Sequence, residues 1–326
     1  MRRLLIALAV ICALAAGCGE KDESLEPGSP EKLELMLDFF PNADHAAIYA
    51  AEAGGHFEDV GLDVEIRQPP DPAAPLKQVV AGRVDLAISY EPEVLRARDQ
   101  GLAAQAVGAL VQAPLTSIIS LPPAGIRTPE DLDGKVVGTA GIDYQSAYLE
   151  AIAKQARAKV EERNVGFNLN GALLAKKVDA TLGAFWTYEG VDLRMRGKNP
   201  QIIRLEQAGI PTYDELVFVA NADQQDDRIK RFMAALEQGV EDLQKDPDGA
   251  LKGLLDANPD LDPDLQRASL QATLPLFKAP RDRPYGWQDP KEWNDFAQWM
   301  RDNKLLDNLI DAQGAFTNEY LPGEGL

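Results

Sequence analysis

Leucine recurs at every second position from Leu33 to Leu37, the period of a strand with one buried face. The run breaks at Pro41-Asn42, and after Asp44 the stretch AAIYAAEAG predicts a helix with Asp44 as its N-cap. Strand, turn and helix in that order place Asp38, Phe39, Asn42 and His45 at the carboxyl edge of a sheet, where open α/β sheets bind ligands. The alternation then repeats. Residues 62–66 have strand period, and after a proline-rich loop residues 76–81 read as a helix. Residues 84–89 are a buried strand stopped by Tyr90-Glu91-Pro92, followed by a helix over 93–100 and a strand over 104–110.

A second series begins at the apolar run 116–121. Residues 134–138 start a strand, 141–146 open a helix that runs over 147–162, 164–167 are a short extended piece, 169–176 a helix and 178–183 a strand ending on AFWTYEG. Residues 217–221 are apolar again and lead back toward the first series. Two long segments, 227–245 and 292–310, carry apolar residues at helical spacing and predict packing helices. Strands alternating with helices predict an α/β fold with largely parallel sheets. The outgoing run at 116 and the returning one at 217 divide the chain into lobe 1 (32–115 and 218–326) and lobe 2 (116–217).

Composition narrows the function. The chain has 326 residues, 45% of them hydrophobic, which suffices for two cores. A formal charge of −19 excludes the basic surface that nucleic acid or anionic lipid requires. No GxSxG elbow, P-loop or GxGxxG fingerprint occurs. His45 and His56 are the only histidines, so no cluster has metal-ligand spacing and neither metal nor cofactor is expected.

The N-terminus has the layout of a secretory signal. Met1-Arg2-Arg3 is positive, residues 4–16 are apolar, and Ala15-Ala16-Gly17 precede Cys18. This end resembles the bacterial lipobox, which implies cleavage just before Cys18 and acylation of that cysteine. Residues 19–31 read as a flexible tether. The membrane is then met through the lipid anchor only, on the extracytoplasmic face. Cys12, the other cysteine, lies in the removed part, so a disulfide within the mature chain is not expected.

Six segments, in order, carry a family resemblance: LDFFPNADH at 37–45, GHFEDVGLDV at 55–64, DLAISY at 85–90, VGFNLNGAL at 165–173, AFWTYEG at 184–190 and FTNEYLP at 316–322. Together they resemble the solute-binding lipoproteins of ABC importers for thiamine pyrimidine precursors, which are similar to the thiamine-pyrimidine synthases. The resemblance implies a two-lobed periplasmic-binding-protein fold of type II, with the ligand cleft between the lobes. It implies a monomer that closes on a small heteroaromatic and docks on an ABC permease. Riboflavin or another amine-bearing heterocycle is the alternative ligand. The implied ligand-binding residues are Phe39, Asn42, His45, Tyr90, Trp186, Tyr188 and Glu189. Asp143, Tyr144 and Gln145 could close from the opposite lobe. For Trp186 and Tyr188 cleft-wall packing is the other reading, for Glu189 a solvated loop charge, and for His45 packing beside the cleft. An enzyme of the synthase type would need a lysine and histidine where this chain reads Ser89-Tyr90-Glu91-Pro92-Glu93, and a cysteine-rich iron site. The expectation is therefore a binding protein rather than an enzyme.

Overall fold

The structure is a computed structural model that describes residues 30–224, 226–308 and 311–323. The signal segment, Cys18 and the tether up to residue 29 lie outside the described residues. The first series gives β1 (Glu31–Met36), α1 (Ala46–Ala53), α2 (His56–Asp59), β2 (Leu62–Arg67), α3 (Pro75–Val80), β3 (Leu86–Ser89), α4 (Glu91–Asp99) and β4 (Ala104–Val111). The second gives β5 (Thr116–Ser120), β6 (Val136–Thr139), α5 (Asp143–Ala156), β7 (Glu161–Asn164), α6 (Leu169–Leu174), β8 (Ala180–Phe185), α7 (Glu189–Met195) and β9 (Gln201–Arg204). The chain closes with β10 (Leu216–Asn221), α8 (Arg228–Lys245), α9 (Pro247–Ala257), α10 (Pro263–Thr273) and α11 (Pro290–Asp302).

Each lobe holds one mixed five-stranded sheet, ordered β2-β1-β3-β10-β4 and β7-β6-β8-β5-β9. β1 runs parallel to β2 and β3, while β10 is antiparallel to β3 and β4. The second sheet repeats the plan: β6 is parallel to β7 and β8, and β5 is antiparallel to β8 and β9. The central strands are buried along their length, which is why β3 (LAIS), β5 (TSIIS) and β10 (LVFVAN) read as near-continuous uncharged runs. Helix α8 buries Ile229, Phe232, Met233, Leu236, Val240 and Leu243, the stripe its spacing predicts. It lies against α1 at Gly239, where a Cβ would stand 2.4 Å from the Ala47 carbonyl oxygen. Only glycine permits that approach.

Several local expectations need correcting. The N-cap of the first helical segment is Asn42, not Asp44: Asn42 Oδ1 accepts the Asp44 N–H at 2.8 Å ahead of a 3₁₀ turn, Ala43–His45. The helix expected to open within residues 141–146 does so at Asp143, but it ends at Ala156, where Arg157 takes a positive φ of 54°, rather than at Glu162. The residues beyond it form the edge strand β7, EERN, exposed throughout and without an apolar alternation to reveal it. The last predicted helix stops at Asp302.

Candidate functional site

The parallel strands of both sheets point their carboxyl ends at the junction of the lobes. Asp38 and Phe39 follow β1, Tyr90 follows β3, Ala140 and Ile142 follow β6, and Phe185 ends β8. These residues, with Asn42, Gln145, Leu169, Gly183, Tyr188 and Glu189, line one cavity. It leaves about 20 Å³ for the centre of a water molecule, room for one ordered water. Phe39 and Phe40 of the first lobe meet Phe167 and Tyr188 of the second around it, with ring centroids 4.6 Å apart for Phe39–Phe167 and 5.8 Å for Phe40–Tyr188.

Phe39, Asn42, Tyr90, Tyr188 and Glu189 are therefore brought together. His45 and Trp186 are not among the lining residues. His45 is fully buried; its Nδ1 accepts the Asn42 N–H at 3.2 Å, so the proton on Nε2 is donated to Asp38 Oδ1 at 2.8 Å. Both ring nitrogens are thus used in holding the Asp38–Asn42 turn. Tyr90 OH donates to the other Asp38 oxygen at 2.8 Å. Asp38 is the residue that joins the two strand ends, and it lines the cavity itself. Trp186 donates from Nε1 to the Pro114 carbonyl at 3.2 Å, and its ring lies 3.8 Å under the Arg204 guanidinium, so it packs into the second lobe's wall. The adjacent aromatic, Phe185, takes the cavity position.

Glu189 is 8% exposed and opens α7, where its Oε2 accepts the Phe185 N–H at 2.8 Å. Burial pushes its carboxyl up to about 8, against the pull of the Phe185 and Glu189 backbone N–H groups. The group thus changes charge near neutral pH, and it can donate as an acid or accept as a carboxylate. Gln145 Oε1 accepts the Ala140 N–H at 2.8 Å. Gly183 makes room for it: φ is +109°, and a Cβ would lie 2.4 Å from Gln145 Nε2. Among the described residues lining the cavity there are two carboxyls, Asp38 and Glu189, and no lysine, arginine or cysteine. The described residues contain no group of three or more His, Cys, Asp or Glu placed to hold a metal ion, and no helix among them is long and apolar enough to cross a membrane.

Two crossing segments join the lobes, one between β4 and β5 and one entering β10. Glu215 ties them together. Its carboxylate accepts the Leu115 N–H at 2.6 Å, the Thr116 N–H at 2.8 Å, the Thr116 hydroxyl at 2.8 Å and the Tyr213 hydroxyl at 3.0 Å.

Two lobes, each built on a mixed five-stranded sheet and joined by two crossing segments, with a cleft at the strand ends, define the periplasmic-binding-protein fold. Residues 42–250 match the family described as NMT1/THI5 like, and the chain belongs to that family. It is 30% identical over 325 residues to the formylaminopyrimidine-binding protein of Halalkalibacterium halodurans, with 97% of either chain covered. It is 23% identical over 299 residues to the 4-amino-5-hydroxymethyl-2-methylpyrimidine phosphate synthase of Legionella pneumophila, covering 89% of this chain and 92% of that one. Among solved structures, the alkanesulfonate-binding protein SsuA of Xanthomonas axonopodis pv. citri superposes with a TM-score of 0.67 at 17% identity, over 89% of this chain and 99% of that one. At that identity the likeness speaks for the fold alone.

Proposed function

We propose that this chain is the extracytoplasmic solute-binding component of an ABC importer and that it closes over a small amine-bearing pyrimidine of the thiamine-precursor class. The observation that carries the reading is the cavity's chemistry: the rings of Phe39, Phe185 and Tyr188 beside the carboxyls of Asp38 and Glu189, with no cation among the lining residues. A sulfonate would meet two carboxyls there and no counter-charge. A flat aminopyrimidine offers a face to stack, worth about 1–3 kcal/mol per base-like ring, and an exocyclic amine for Glu189 to accept.

In this reading the chain is monomeric and held to the membrane by acylated Cys18. The rotating bodies are residues 32–115 with 218–326, and residues 116–217, in keeping with the membership of the two sheets. The ligand enters by parting the Phe39–Phe167 contact and is held by hinge closure. Binding rather than synthesis is favoured because the lining residues offer neither an amine nor a thiol for covalent or metal chemistry.

Isothermal titration of the purified protein with an aminopyrimidine and its formylamino derivative tests this, with an alkanesulfonate as control. We expect saturable one-to-one binding of the pyrimidines only. At pH 9, where Glu189 is ionised in the folded protein, Glu189→Gln should bind about 10- to 100-fold more weakly, since a hydrogen bond to a charged group contributes about 1.5–3 kcal/mol. Equal binding by Glu189→Gln, or binding of the sulfonate, refutes the assignment.

A further inference from the structure

The lobes touch in two places that are built in opposite ways. At the crossing segments, each oxygen of the Glu215 carboxylate has donors, and both connections are held at once. All of its donors lie on the connections themselves, the place about which two lobes so joined would pivot.

The second place is α10. This helix belongs with the first lobe, against the Ala43–His45 turn and α9, yet it also reaches α7 of the second. Gln266, Ser269 and Thr273 fall on one face at i, i+3 and i+7, and all are buried. Ser269 Oγ donates to the Thr187 carbonyl at 2.8 Å, and Gln266 Nε2 donates to Tyr188 OH at 3.2 Å. Thr273 Oγ1 donates to Asp44 Oδ1 at 2.7 Å within the first lobe. Along the same seam Thr187 Oγ1, Gln266 Oε1 and Asp44 Oδ2 are buried with no hydrogen-bond partner. A permanently dry interface rarely keeps so many unmatched polar atoms together. An interface that is wet for part of the time readily does, because water matches them whenever it opens.

We propose that α10 is a clasp: Gln266 and Ser269 grip the Thr187-Tyr188 turn only while the lobes are closed, and the lobes part along this seam as they pivot about Glu215. Neither residue lines the cavity. Both are positioning residues, acting through Tyr188, which does line it. The inference rests on the solute-binding reading, because it assigns to α10 the closing step of that cycle.

The test uses Ser269→Ala and Gln266→Leu in the full chain. In the ligand-free protein, hydrogen exchange over residues 185–190 should quicken about five-fold in each variant, the shift expected from one buried hydrogen bond. The crossing segment at residues 112–117 and helix α8 should exchange as in the wild type. With an aminopyrimidine bound, stopped-flow measurements should show dissociation faster by a similar factor. Unchanged exchange over 185–190 in both variants overturns the clasp. Uniform acceleration that includes α8 also overturns it, since that pattern marks a loss of global stability. The exchange readout needs no ligand, so a failure to bind aminopyrimidine would count against the proposed function, while the exchange rates would still decide the role of α10.

Discussion

Replacing Glu189 with glutamine should make the ligand-free protein more stable at pH 8 relative to the wild type, and leave the two much closer at pH 4.5. The Glu189 carboxyl has an ordinary value of 4.5 when the chain is unfolded and is pushed up to about 8 by burial in the fold. Below pH 4.5 both states hold the proton and the site adds no pH dependence. Between 4.5 and 8 the unfolded chain has released the proton while the folded one retains it. The folded state then binds more protons, and stability falls as pH rises, by about 1.4 kcal/mol per unit. At pH 7 the accumulated loss is on the order of 3 kcal/mol. Above pH 8 the slope disappears. Glutamine has the shape of the protonated acid and can still accept the Phe185 N–H, but it cannot ionise. The difference in unfolding free energy between Glu189→Gln and wild type should therefore grow by about 4 kcal/mol from pH 4.5 to 8. Urea titrations of both proteins at these two pH values, with m-values compared, measure it. Asp44 and Glu93 are also pushed up by burial, to about 6 and about 7, but they are common to both proteins and cancel in the difference. A difference independent of pH would show that Glu189 titrates normally and would remove the basis for treating it as a buried, convertible acid.

Two further substitutions probe the frame of the site. Asp38→Asn leaves one of its two donors, His45 Nε2 or Tyr90 OH, facing an amide that cannot accept, and should cost about 1–3 kcal/mol by urea unfolding; a wild-type midpoint would show that the strand ends are not joined through this carboxylate. Gly183→Ala combines a positive φ with a side chain driven into Gln145, and should lower stability by about 1–3 kcal/mol and weaken ligand binding together; an unaltered melting temperature would refute the crowding.

The sequence revealed most where burial imposes a period. The central strands and α8 could be read because each has a face, or two, that must be apolar. Edge strand β7 has none, being exposed throughout, and gave no signal. Helices α9 and α10 did carry one that went unread: Asp246-Pro247 and Asp262-Pro263 open them as Asp289-Pro290 opens α11, with each aspartate accepting backbone N–H bonds from the first turn. At the cleft, the strand–turn–helix pattern placed Phe39 and Asn42 at a sheet edge and the strand end placed Tyr90 there, whereas Tyr188 and Glu189 came from the family resemblance; the structure puts all five on the cavity lining. Trp186 and Phe185 were not separable. Adjacent residues of a strand face opposite sides, so choosing between them requires the phase of β8, and its pairing with β5 contains a register shift between Ser117 and Ile118. His45 was ambiguous for another reason: a histidine at a turn can face the ligand or brace the turn, and only the positions of Asp38 and the Asn42 N–H decide.

The double crossing of the chain between the lobes also sets the order in which the molecule can be completed. β4 pairs within its sheet only with β10, and β3 has β10 as its partner on the side away from β1. As the chain emerges from its N-terminus, the whole second lobe appears before β10 does. Until Leu216–Asn221 arrives, β3 and the buried, apolar β4 present raw backbone edges, the kind of surface on which nascent chains stick to one another. A truncation before residue 216 should thus yield an aggregating first lobe rather than a smaller soluble one, and helpers that shield newly emerged chain have their longest task here in the interval between the fourth strand and the tenth.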